Sequence, residues 1–130
     1  MYILLTAGDD FHGPYKKVKN DRCFGGYIVV NSKKNEKDII QAIREGRFYA
    51  TTVPKILDYR MENGKLKIET SPVKRIIFYS NMRKCKNIFS EDGDEITKTE
   101  YQIRGEEFYI WAKIIDKYGN MAWTQPIYFK

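Results

Sequence analysis

Histidine and cysteine are scarce in this sequence of 130 residues. His12 is the only histidine, and the two cysteines, Cys23 and Cys85, lie far apart and form no Cys-x-x-Cys pair. Zinc knuckles and redox dithiols use such pairs, so neither is predicted, and we expect two reduced thiols. A catalytic metal centre takes about three or four protein ligands, so one histidine cannot supply a histidine-rich centre alone.

Long apolar runs and the common catalytic loops are also missing. No apolar stretch approaches the roughly 20 residues that span a bilayer, and Met1-Tyr-Ile-Leu-Leu-Thr6 is too short for a secretory signal. We therefore expect a cytoplasmic protein without a membrane partner. The sequence contains no P-loop, no G-x-G-x-x-G and no G-x-S-x-G elbow. With 42% apolar and 31% charged residues, the chain is predicted to fold.

Basic residues outnumber acidic ones and give a formal net charge of +6. Such an excess attracts nucleic acid when the cations converge, because phosphate contacts release counterions. Here the cations are scattered over several segments, and no recognition helix or RNP-like aromatic motif accompanies them. We interpret them as solvated surface, so nucleic acid is not an expected partner.

The first part of the chain has the pattern of strands and a helix that is typical of an alternating β/α layer. Tyr2 to Thr6 and Gly26 to Asn31 are continuous apolar runs typical of buried strands, and Phe48 to Thr52 is strand-like. The intervening helix is predicted to begin at Ser32 or Asn35 and to end at Gly46. Its apolar stripe consists of Ile39, Ile40 and Ile43.

Beyond about residue 53, strands dominate. Asn63-Gly64, between two alternating runs, is the strongest hairpin signal in the chain. Short strands separated by turn residues predict a two-layer antiparallel sandwich. The further predicted strands are Val73 to Ser80, Lys98 to Arg104, Phe108 to Asp116, and Met121 to Phe129 with an interruption at Pro126.

Asp10 and His12 are the candidate metal ligands. In an extended stretch, residues two apart project to the same side, so this carboxylate and imidazole can converge on one cation. The competing interpretation is a turn-capping aspartate beside a partly exposed histidine. Aromatic residues offer a different site, because Tyr109 and Trp111 on an open face could bind carbohydrate or protein.

Three stretches together resemble the carboxyl-terminal region of PHP-domain proteins, the polymerase and histidinol phosphatase family of metal-dependent phosphoesterases. They are Gly8-Asp-Asp-Phe-His12, Ile40-Gln-Ala-Ile-Arg-Glu-Gly-Arg-Phe-Tyr-Ala-Thr-Thr52, and the region from Asn63-Gly64 through Ile76-Ile-Phe-Tyr-Ser80 to the closing segment of residues 108–129. The resemblance implies a mainly β (α+β) fold: residues 1–53 are a short β/α remnant of a PHP barrel with one helix, and residues 54–130 are an antiparallel immunoglobulin-like β-sandwich. It also implies that Asp10 and His12 ligate a divalent metal (Zn, Mn or Fe).

The family's early His-x-His and its intervening ligands have no counterpart in this sequence. The chain is therefore expected to be an end piece of a phosphoesterase, inactive alone, with a structural or partner-binding role. A chain carrying the rest of the barrel, or self-association, would cover the edge of the first strands. The alternative is a non-enzymatic β-sandwich binding module for carbohydrate or protein.

Overall fold

A computed structural model describes residues 3–8, 25–82 and 86–129 of the chain. Two antiparallel sheets and one short helix make up this part, so the prediction of a mainly antiparallel β protein is confirmed. In the described ranges, no helix is long and apolar enough to cross a membrane. The elements are β1 (Tyr27–Val30), α1 (Glu36–Arg44), β2 (Phe48–Thr51), β3 (Ile56–Glu62), β4 (Lys65–Val73), β5 (Arg75–Ser80), β6 (Lys86–Phe89), β7 (Ile96–Gln102), β8 (Tyr109–Ile115), β9 (Met121–Trp123) and β10 (Ile127–Tyr128).

The larger sheet has the strand order β1-β2-β9-β8-β5-β6, with β10 also paired to β8, and the smaller sheet has the order β3-β4-β7. Strands β9 and β10 pair with successive stretches of β8, residues 113–115 and 109–110, with a gap between them. There, the Ala112 N–H donates to the Thr124 hydroxyl at 2.8 Å, and the Thr124 N–H donates to the Ala112 carbonyl at 2.9 Å. This exchange replaces the regular ladder ahead of Pro126.

The core lies between the two sheets, as a β-sandwich requires. On β8, Ile110, Ala112 and Ile114 are fully buried and alternate with partly exposed neighbours, the period of two of a half-buried strand. Leu66 and Ile68 of β4 belong to the same cluster from the opposite sheet. Burying each large aliphatic side chain contributes about 1.5–3 kcal/mol.

The predicted hairpin is confirmed between β3 and β4. Asn63 (φ 51°) and Gly64 (φ 74°) both adopt the left-handed conformation that a two-residue type I′ turn requires. The register pairs Glu62 with Lys65 and continues to Tyr59 opposite Ile68.

Helix α1 is capped by Asn35, one of the two predicted caps, whose Oδ1 accepts from the Asp38 N–H at 2.9 Å. The chain leaves the helix through Gly46 at φ 71°, the predicted stop. The predicted stripe is not the buried face, however, because Ile39 and Ile40 are 37% and 43% exposed while Ala42 is buried.

Four points of the predicted secondary structure need correction. Residues 3–6 form no strand, because their described backbone bonds go to side chains rather than to a neighbouring strand. Strand β1 is a half-exposed edge, antiparallel to β2, whereas a β/α layer buries its strands in parallel. Strand β6 was missed, and β7 begins at Ile96 rather than Lys98.

The predicted domain boundary between residues 53 and 54 falls in the connection from β2 to β3. Strand β2 pairs with β9 through Ala50 opposite Trp123, so residues from both sides of that boundary share one sheet. The boundary itself stays a prediction, as does the barrel remnant.

Candidate functional site

The predicted metal ligands Asp10 and His12 lie outside the described residues, as do both cysteines. The described residues that flank this segment are Gly8 and Gly25. The two flanks touch, since a Cβ built on Gly26 would lie 3.2 Å from the Gly8 carbonyl oxygen. The ligand assignment stays a prediction. Within the described ranges, no group of three or more His, Cys, Asp or Glu side chains could hold a metal ion.

The segment of residues 3–8 is attached to the end of the sandwich by two side chains. The buried Gln125 accepts from the Leu5 N–H through Oε1 at 2.7 Å and donates to the Leu5 carbonyl through Nε2 at 2.5 Å. One carboxamide thus satisfies both backbone groups, as a neighbouring strand would. The Tyr128 hydroxyl accepts from the Ile3 N–H at 2.9 Å and lies 3.0 Å from the Ile3 carbonyl. These bonds hold Ile3 and Leu5, which precede Asp10 in the sequence.

Strand β1 presents an unprotected edge. The Asn31 N–H donates to the Arg47 carbonyl at 2.9 Å, which marks a hydrogen-bonded pair, and pairs alternate along an antiparallel ladder. The backbone groups of Ile28 and Val30 therefore point away from β2, and within the described part of the chain no strand pairs with them. The sequence of β1, Tyr-Ile-Val-Val, has none of the charges, prolines or bulges that commonly protect an edge.

An apolar cleft of about 620 Å³ opens beside this edge, between β1 and β2 on one side and β3 on the other. Val29 and Leu57 line it and are 37% and 65% exposed. Its remaining lining residues are Val30, Asn31, Gly46, Arg47, Phe48, Tyr49, Ile56, Asp58, Tyr59, Thr124 and Gln125.

The ionisable groups of the cleft do not suit acid–base chemistry near neutral pH. Burial raises the pKa of Tyr59, whose hydroxyl donates to the Ile110 carbonyl at 3.2 Å, and burial also raises the pKa of Tyr49. Both phenols are therefore neutral. The carboxylate of Asp58 is engaged in an ion pair with Arg60. The exposed side chains of Val29 and Leu57 make the cleft a surface for apolar contact.

A second candidate surface is the outer face of the larger sheet. On β8, Tyr109, Trp111 and Lys113 point away from the core, because the alternate residues are buried. Tyr79 lies opposite Trp111 in the register, and the two rings stack with centroids 4.2 Å apart at 12°. We call this surface the aromatic face. Its outward-pointing residues are Arg75, Ile77, Tyr79, Asn87, Phe89, Tyr109, Trp111, Lys113, Ile115, Met121, Trp123 and Tyr128.

The two outer faces of the sandwich differ in charge. The smaller sheet carries ion pairs of Arg60 with Glu62 at 3.1 Å, of Lys67 with Glu62 at 3.2 Å, and of Lys65 with Glu100 at 2.5 Å. Such mixed charges are typical of a solvated sheet surface. By contrast, the outward positions of the aromatic face, as far as the structure describes them, include no Asp or Glu.

No protein-family model matches the chain, and no curated protein or solved structure matches it significantly. The resemblance to PHP-domain proteins therefore stays a prediction.

Sequence reasoning found part of the aromatic face. The alternation of β8 is enough to place Tyr109 and Trp111 on one side. Tyr79 and Trp123 come next to these residues because β5 and β9 pair with β8. The register of strands so far apart in the sequence leaves no local signal.

Proposed function

We propose that the chain is the carboxyl-terminal end piece of a PHP-type metal-dependent phosphoesterase, in which β1 docks against a chain segment carrying earlier strands of the barrel. The observation that carries the proposal is the uncharged edge of β1, which no strand in residues 3–8, 25–82 or 86–129 covers, with apolar residues on both of its sides. An added strand would pair with the free backbone groups of Ile28 and Val30, as in strand-addition complexes generally.

The surroundings of the edge favour a partner that covers more than backbone. Val29 and Leu57 expose apolar surface in the cleft, and Ile39 and Ile40 do so on α1. Removing exposed apolar side chains from water is favourable, so a partner that covers them would stabilise an assembly. Association of two copies through the same edge is the alternative outcome.

Asp10 and His12 alone do not make a complete metal centre. Asp10 and His12 would give one carboxylate oxygen and one imidazole nitrogen to a divalent ion such as Zn, Mn or Fe, and His12 is the only histidine. A centre of about three or four protein ligands takes further donors, which we propose that the partner supplies. We assign no step of phosphate ester hydrolysis to this chain.

The first test measures hydrolysis of p-nitrophenyl phosphate with added Mn²⁺ or Zn²⁺. We expect the wild-type chain to show no more turnover than the Asp10→Ala, His12→Ala double variant, and to bind Mn²⁺ weakly, with that binding lost in the variant. Metal-dependent turnover by the wild-type chain alone, abolished in the variant, would contradict the proposal of an incomplete site. Equal Mn²⁺ binding by both proteins would remove Asp10 and His12 as ligands.

A second candidate function is a β-sandwich binding module that uses the aromatic face. The observation favouring it is that Tyr109 and Trp111 are partly exposed on one side of a sheet whose other side is core. Both tryptophans of the chain, Trp111 and Trp123, lie on this face. A saturable change in tryptophan emission with ligand, unaffected by metal or by the loss of Asp10 and His12, would distinguish this function from the first.

A further inference from the structure

The aromatic face combines partly exposed rings at regular spacing with positive charge. Along β8, Tyr109, Trp111 and Lys113 occupy alternate positions, so successive side chains stand about 6.8 Å apart. Tyr79 on the neighbouring central strand adds a ring opposite Trp111. Their stack uses one face of each ring, and both side chains are partly exposed.

The charge on this face is of one sign. The side chain of Lys113 forms no hydrogen bond or ion pair with the described residues, and Arg75 donates to the neutral Asn87 at 2.8 Å. Since no carboxylate stands among the described outward positions, nothing on the face neutralises these cations. A ligand that complements the face brings negative charge together with flat, stackable groups.

We propose that the aromatic face binds single-stranded nucleic acid, with bases stacking on Trp111, Tyr79 and Tyr109 and with phosphates near Lys113 and Arg75. The proposal rests on the second proposed function, a binding role for this face, and names its ligand class. Open sheets whose aromatic residues stack unpaired bases are a common mode of single-strand recognition.

Other occupants fit the charge less well. A neutral glycan would use the rings but would leave the cations without a partner. A second copy docked face to face would gather the Lys113 and Arg75 cations of both copies in one interface, where the described outward positions offer no carboxylate to pair with them. Cations scattered in the sequence are brought next to aromatic residues here by strand pairing, which is why no linear motif accompanies them.

The test uses the full chain and a fluorescein-labelled oligothymidylate of about 15 nucleotides, with fluorescence anisotropy at several salt concentrations. Binding should weaken as salt rises. We expect Lys113→Gln to weaken binding and to reduce the log–log salt slope by about 0.7, the value for one lost phosphate contact on a single strand. The matched control is Lys98→Gln, the same change of charge on the outer face of the smaller sheet, which should leave affinity unchanged.

Ring stacking is tested with Trp111→Leu, which should weaken binding roughly 5- to 140-fold. A circular dichroism spectrum and melting curve show whether this variant folds, and Lys113→Gln keeps the test decisive if it does not. Absence of binding at about 50 mM salt, or equal losses in Lys113→Gln and Lys98→Gln, would overturn the proposal.

Competitors separate the ligand class from the binding role. Dextran sulfate is a polyanion without bases, and laminarin is a neutral glucan. If either one changes tryptophan emission saturably while the oligonucleotide does not, the face is a binding site and nucleic acid is the wrong ligand. If none of the three does so, the binding role also fails, whereas the metal experiment is unaffected.

Discussion

Glu107 is the side chain whose removal tests the described fold most directly. It is buried, and its carboxylate accepts from the Tyr101 hydroxyl at 2.9 Å and from the backbone N–H groups of Arg104, Gly105 and Glu106 at 2.9–3.1 Å. Burial alone would raise the pKa of Glu107, but these hydrogen bonds outweigh it and hold the pKa below its usual range. The charged form therefore stabilises the turn between β7 and β8.

The cost of Glu107→Ala can be worked from these contacts. The hydroxyl of Tyr101, a residue only 3% exposed, would lose its acceptor, at a cost of about 1–3 kcal/mol. The three N–H groups belong to exposed residues and can bond to water, so losing their shared acceptor should cost roughly 0.5–2 kcal/mol, as for a helix N-cap. We expect a total loss of about 3 kcal/mol in the free energy of unfolding at pH 7.

Urea unfolding followed by circular dichroism measures this loss, which should lower the midpoint by about 1–2 M. The control is Glu106→Ala, the same change at the exposed neighbour, expected within about 0.5 kcal/mol of the wild type. Because the folded pKa of Glu107 is depressed, its contribution is present above the unfolded value and fades as the pH falls below about 4. A loss under about 1 kcal/mol, or one that does not shrink in acid, would refute the reasoning.

Three further outcomes are expected. Asp116 accepts from the N–H groups of Tyr118 at 2.8 Å and Asn120 at 2.9 Å. Burial raises the pKa of Asp116, but the hydrogen bonds outweigh this effect and lower the pKa. Asp116→Ala should therefore reduce the free energy of unfolding by about 1–2 kcal/mol at pH 7 and by progressively less below about pH 4, as measured by thermal melting at each pH. Gly64→Ala should lower the free energy of unfolding by about 1–2 kcal/mol, as measured by urea unfolding, because a φ of 74° is unfavourable for a residue with a Cβ. Val29→Lys should reduce concentration-dependent association in sedimentation velocity, because it places a charge on the β1 edge. The melting temperature should stay nearly unchanged, since Val29 is 37% exposed. Unchanged association would argue against docking at this edge.

Elements specified by nearby residues could be predicted from the sequence. The Asn63-Gly64 turn requires two residues with positive φ, and this dipeptide tolerates them, so the hairpin follows from local chemistry. Asn35 caps α1 because its side chain accepts from the backbone three residues later. The alternation of β8 reflects a strand with one buried face.

Elements specified by distant partners could not be predicted. The run from Tyr2 to Thr6 has a strand's composition, but residues 3 and 5 bond to Tyr128 and Gln125, more than one hundred residues away. Strand β6, with mostly exposed residues, depends on pairing with β5 and has little apolar pattern of its own. The same holds for the aromatic face. The position of the rings on β8 could be predicted from the alternation of that strand, but their contact with Tyr79 on β5 could not.

The two candidate surfaces belong to one sheet but make different physical demands on a partner. Docking at β1 depends on backbone groups and apolar area, so a charge at Val29 should disturb it. Binding on the aromatic face depends on ring faces and on Lys113, which stands on β8, beyond β2 and β9. A partner strand at β1 would extend the sheet in its own plane and leave the face of β8 accessible. Val29→Lys and Lys113→Gln should therefore each impair one kind of binding and spare the other, and a variant that impairs both would point to a single continuous interface.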